Sequence, residues 1–149
     1  MTLEGRIRML KVASVITIGF GLLMAIAAVP ALASPLAVLA DLIFYPLDGA
    51  PLIDEPVVRL LSAITGGVMA GWGLMMYLFV TEVVPKDPAL GRRIILLGIG
   101  AWYIVDSSMS LAAGAPLNVA SNTVFLLLFV VPAWSLGAEG RAASAGAAG

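Results

Sequence analysis

The chain has 149 residues, 61% of them hydrophobic and 11% charged, and a mean hydropathy of +1.07. An ordinary soluble domain holds about 45–50% apolar and about 25% charged residues, so this sequence has too little polar surface to cover a globule, and the excess belongs to lipid. The net charge of -1 implies no nucleic-acid partner. The absence of cysteine and histidine excludes a disulfide framework, a CxxC redox pair, a histidine-ligated haem and the usual neutral-pH general base.

A hydrocarbon core about 30 Å thick needs about 20 mainly apolar residues per spanning helix. Four stretches satisfy this and predict an all-α membrane protein, a four-transmembrane-helix bundle. The first runs from about Leu10 to Val29, after Arg6, Arg8 and Lys11. It ends in Pro30-Ala31-Leu32-Ala33-Ser34, where Ala31 and Ala33 form an A-x-A pattern of the kind cut by signal peptidase. Cleavage there would leave three spans. The run is longer than a secretory h-region of about 7–15 residues, and Gly19 and Gly21 suit a packed helix, so four retained spans is the reading carried forward.

The segment Pro35 to Pro56 follows. Its first half, Leu36 to Tyr45, is apolar but too short to span; its second half carries the breakers Pro46, Gly49, Pro51 and Pro56. This predicts a short helix at the outer interface with Tyr45 at headgroup level, then a turn, with a re-entrant segment as the alternative. The second span runs from about Val57 to Val80 and contains Gly67 and Gly71, a GxxxG pair that predicts close packing against a neighbouring helix of the bundle. Met69, Met75 and Met76 lie in the same helix. Adjacent methionines point about 100° apart, and no histidine or cysteine joins them, so they read as adaptable packing and not as a copper site.

The loop Glu82 to Arg93 is short and charged, with Glu82 a rim charge beside Lys86. The third span runs from about Ile94 to Ala113. The tight Gly114-Ala115-Pro116 turn leads to the fourth, about Leu117 to Leu136. Residues 137–149 are Ala, Gly and Ser for the most part and read as a disordered tail. Arg6, Arg8, Lys11, Lys86, Arg92 and Arg93 all fall on one side of four spans, joined there by Arg141, while Arg59 alone lies opposite. The positive-inside rule therefore places both termini on the cytoplasmic side.

Asp106 lies inside the third span. A charge there costs about 2.5–3.5 kcal/mol on insertion scales and marks a functional hypothesis. Folding the hairpin about Ala115 brings Asp106, Ser110, Asn118 and Asn122 to one level, with Tyr103 one turn before Asp106. Arg59 enters the second helix from the outer side and is placed to snorkel toward Asp106. Asp106, Arg59, Tyr103, Ser110, Asn118 and Asn122 are thus the candidate polar network or solute site. An Asp106–Arg59 pair with amide and hydroxyl partners would be structural; the same cluster opening outward would bind a small solute or a proton.

Three strings, Ala40 to Gly49, Gly66 to Gly73, and Val105-Asp106-Ser107-Ser108 with Gly114 to Asn118, resemble a group of small bacterial four-helix membrane proteins of unknown function. The resemblance implies the same topology and a bacterial inner membrane, and brings no activity or assigned residues. In size the chain is also similar to DoxX-like proteins and to small multidrug exporters. The exporter pattern needs an acidic residue in mid-first-span, and this span has none. With no cofactor motif and no metal ligands, the expected role is an accessory or structural subunit of a membrane complex, in contact with lipid and with other subunits or further copies of itself. The alternative is a small-solute or proton-coupled carrier using the Asp106 cluster. A membrane enzyme would be restricted to carboxylate, serine or tyrosine chemistry.

Overall fold

A computed structural model describes residues 1–45, 48–49 and 53–137. The expected turn at Pro46 and Pro51, and Arg141 with the tail from residue 138, lie outside the described residues. Within them the chain is entirely helical, with helices α1 Leu3–Ile26, α2 Ser34–Phe44, α3 Pro56–Glu82, α4 Pro88–Ala112 and α5 Pro116–Trp134. A 3-10 turn, Pro30–Leu32, joins α1 to α2. Four of these helices, all but α2, are long and apolar enough to cross a membrane.

The helix starts follow from local chemistry. The Thr2 hydroxyl accepts from the Gly5 amide at 3.2 Å, and Glu4 sits in the first turn of α1, where the helix dipole favours an anion. Pro56, Pro88 and Pro116 occupy the first positions of α3, α4 and α5, where a missing N–H costs nothing. The Asp87 carboxylate accepts from the Leu90 amide at 2.9 Å and caps α4. These starts lie outside the apolar stretches. Arg6, Arg8 and Lys11 are part of α1, and Arg92 and Arg93 part of α4, so both helices run beyond the segment that hydropathy marks.

α1 packs along α3 and α4 along α5, with α1 also against α5. The α1–α3 seam is backbone against backbone. A Cβ at Gly66 would lie 2.3 Å from the Ala25 nitrogen and 2.5 Å from the Gly21 carbonyl oxygen. One at Gly21 would lie 2.4 Å from the Ala70 nitrogen. Gly73 closes the row against Ile18 and Ser14. Only glycine permits this approach. The expected pair, Gly67 and Gly71, is not the one used. Both are exposed, with nothing within 4 Å of an added Cβ. The seam face of α3 is set by Gly66, Ala70 and Gly73, and the next residue along a helix points about 100° away. On the α1 side, Ser14 and Thr17 are buried and return their hydroxyls to the Leu10 and Ala13 carbonyls at 2.8 and 2.9 Å. That satisfies them where lipid offers no partner.

The antiparallel order brings both described ends of the bundle's chain to one end, the basic end. There Arg6 donates to the Ser135 carbonyl at 2.6 Å, Lys11 lies over the Tyr77 ring and Arg92 over the Trp134 ring. Lys86 and Glu82 form an exposed pair at 3.7 Å. This half is filled by Leu10, Met76, Val80, Ile95, Ile99 and Phe129, all buried. Outside the bundle, large apolar side chains such as Leu61, Leu97, Ile104 and Leu127 stand exposed, the surface of a protein solvated by hydrocarbon.

The other half is built differently. α3 and α4 are joined by a short loop but do not run side by side in close backbone contact. Across this end lies α2, an eleven-residue helix. At about 1.5 Å per residue it is too short to span. Its Leu36 is buried with Ala27 and Ile53.

Candidate functional site

Where α3 and α4 diverge, the half of the bundle away from the basic end holds a cavity of about 1210 Å³, open to the outside along a rim that includes the exposed Val68 and Val105. Ligand pockets typically measure about 300–1,000 Å³, so this one has room for a drug-sized or lipid-like molecule. Its floor is aromatic. Trp72 and Trp102 have ring centroids 6.2 Å apart, Trp102 meets Phe125 edge-on at 6.5 Å, and Phe125 meets Phe20 at 5.4 Å. This layer separates the cavity from the filled basic-end half. The inner face of α2 contributes Leu36, Leu39 and Ile43, and α3 contributes Thr65, Val68 and Met69.

One wall is polar. Gly114, at φ +76°, reverses the chain between α4 and α5 in the left-handed conformation glycine adopts without strain. The resulting hairpin sets Asp106 and Ser110, one turn apart on α4, against Asn118 and Asn122, one turn apart on α5. Asp106 Oδ1 accepts from Ser110 Oγ at 3.1 Å, Asn118 Nδ2 at 3.2 Å and Asn122 Nδ2 at 2.7 Å. Asn118 also donates to Ser110 Oγ at 2.8 Å, and Asn122 to Ser107 Oγ at 3.2 Å. All three donors converge on one carboxylate oxygen. Asp106 is half-buried and lines the cavity, and its Oδ2 accepts nothing from the described residues.

Four of the six expected site residues are therefore together: Asp106, Ser110, Asn118 and Asn122. Two are not. Arg59 does not reach Asp106; its Nε donates to the Ala28 carbonyl at 2.9 Å, just past the end of α1. A cation is favoured there by the carbonyls and dipole of the helix C-terminus. Tyr103 pairs with the Thr123 hydroxyl at 3.1 Å, and Thr123 itself donates to the Val119 carbonyl at 2.7 Å, so the tyrosine O–H is the donor between them. Tyr103 thus ties α4 to α5 away from the cavity.

Sequence reasoning missed Ser107, the aromatic floor and the cavity itself. A helical period was legible for part of this. Asn118, Ser121, Asn122 and Phe125 fall on one face of α5, and Trp102, Val105, Asp106 and Met109 on one face of α4. Among the described residues no group of three or more histidine, cysteine, aspartate or glutamate side chains is placed to hold a metal ion. No protein-family model, curated protein or solved structure matches the chain.

Proposed function

We infer that this multi-pass membrane protein binds a small amphipathic solute inside its bundle, as a binding protein or carrier of the bacterial inner membrane. Both termini are cytoplasmic, so the cavity lies in the outer half with α2 along the outer interface. The observation that carries this reading is one large, mainly apolar cavity with, among the described residues, a single carboxylate on its wall, one oxygen of which is engaged and the other open to the cavity. Apolar walls with a few convergent polar groups are what small-molecule sites are made of.

Trp72 and Trp102 on the floor report occupancy. In a Trp134→Phe background, reconstituted in phosphatidylcholine nanodiscs, bromododecanol should quench them with a saturable component. A Val68→Phe/Val105→Phe variant, which fills the cavity from two walls, should lose that component. Quenching that is linear in probe and equal in the two proteins overturns the reading.

One observation favours the reading as an accessory subunit. Gly67 and Gly71 leave an uncovered close-approach strip on α3. Mild-detergent purification from native membranes tests it, since a stoichiometric partner lost on Gly67→Leu supports a subunit role.

A further inference from the structure

We propose that the cavity selects amphipathic organic cations, with a protonated amine at Asp106 Oδ2 and an apolar body on the Trp72–Trp102–Phe125 floor. The proposal rests on the cavity being a binding site and adds the charge of its occupant.

Asp106 Oδ1 is saturated by Ser110, Asn118 and Asn122, which are held by the hairpin whatever occupies the cavity. Oδ2 is left as an acceptor on the cavity wall. Among the described residues no lysine or arginine lines the cavity, and Arg59, the basic side chain nearest in the expected arrangement, is committed to the Ala28 carbonyl. A carboxylate in apolar surroundings needs a counter-charge. The described residues do not supply it, so the complementary ligand does. An anionic head would meet an uncompensated like charge.

Two further features agree. The aromatic faces of Trp72 and Trp102 attract cations as well as apolar chains. The end of the bundle nearest the cavity carries Asp41, Asp54 and Glu55, with Arg59 its one basic side chain among the described residues, so the local field draws cations in. The mean apolar character of the walls demands that the rest of the molecule be hydrophobic. The chemistry is therefore that of a lipophilic amine, not of a fatty acid, a phospholipid phosphate or a free inorganic cation.

The test compares three probes that share one chain: bromododecylammonium, bromododecanol and bromododecanoate. Saturable quenching of Trp72 and Trp102 is measured in phosphatidylcholine nanodiscs, with partition into protein-free nanodiscs subtracted. The amine should bind tighter than the alcohol by about tenfold or more, the factor a charge-assisted hydrogen bond carries, and the carboxylate should bind weakest. Asp106→Asn should erase the amine's advantage over the alcohol. The comparison of the three probes in the Trp134→Phe background needs no change at Asp106, so misfolding of Asp106→Asn, judged by gel filtration, would not stall the test. Equal saturable binding of all three overturns cation selection and leaves the cavity site standing. An amine advantage that survives in folded Asp106→Asn overturns the role of Oδ2. No saturable quenching by any probe removes the site and the selection together.

Discussion

Substituting alanine for Gly66 or for its neighbour Gly67 separates packing from propensity, because the two changes are chemically identical. Both residues lie within α3, and alanine improves helix propensity by about 1 kcal/mol at either. That gain cancels in the comparison. At Gly67 the new methyl meets nothing within 4 Å, while at Gly66 it would lie 2.3 Å from the Ala25 nitrogen, 1.1 Å short of the 3.4 Å at which ordinary contact begins. The obstacle is backbone, so no side chain can rotate away, and α1 and α3 must part. A radial gap of about 0.5–1 Å forfeits about a quarter to a half of each contact's attraction along the seam. Overpacking of this kind costs about 1–3 kcal/mol, and the rigid backbone puts Gly66→Ala toward the upper end. Equilibrium unfolding by dodecyl sulfate in mixed micelles, followed by tryptophan fluorescence, measures the difference. Gly67→Ala should match or exceed the parent, with Gly66→Ala about 2–3 kcal/mol below it. Gly21→Ala should behave like Gly66→Ala, and the double variant should cost less than the sum, since one separation relieves both clashes. Equal midpoints for Gly66→Ala and Gly67→Ala would refute the seam.

Asp106→Leu strands three amide and hydroxyl donors and should destabilise by about 1–3 kcal/mol or more in the same titration. Adding Arg59→Met should not rescue it, because the two side chains have different partners; coupling above about 0.5 kcal/mol would contradict the Arg59–Ala28 assignment. Tyr103→Phe should cost about 1 kcal/mol through the lost bond to Thr123 and leave saturable quenching by bromododecylammonium unchanged, which sets it apart from the Asp106 variants. The Val68→Phe/Val105→Phe variant should unfold at the parent's dodecyl sulfate concentration or above it while losing saturable binding; a large fall in stability would show that those walls do not border a cavity.

The helices were legible because their signal is long and redundant. Twenty apolar residues cannot be hidden, and the basic residues cluster at one end in the structure as the loops imply. Helix limits were less legible, because hydropathy reports the lipid-buried length and not the hydrogen-bonded one: α1 begins at Leu3, ahead of Arg6 and Lys11. The hairpin cluster could be read because a three-residue turn fixes the depth of Asp106 against Asn122. What depends on helix rotation could not. Gly66 and Gly67 both offer a missing side chain, and choosing between them requires knowing which face meets α1. A search for charged pairs leads Arg59 to Asp106, whereas the carbonyls at a helix C-terminus compete for a guanidinium and are invisible to that search.

The polar cluster and the cavity occupy the same half of the bundle, and the side chains there show why that matters. A network whose only task was to pin the α4–α5 hairpin would work as well in a sealed bundle, since Oδ1 alone takes all three donors. Sealing was within reach of this sequence: the α1–α3 seam closes on bare backbone, and the basic-end half fills with Leu10, Met76, Ile95 and Phe129. Facing the cavity, among larger side chains such as Leu39, Met69 and Phe125, are Ala40, Thr65, Ala101, Ala113 and Ser121, small residues where a larger side chain would fill the space. Small residues that bring helices together add packing; small residues where helices are already apart forgo about 25 cal/mol for each Å² of apolar surface a larger side chain would bury. Stability forgone beside a carboxylate with an open oxygen is the trade expected of a binding site and not of a strut.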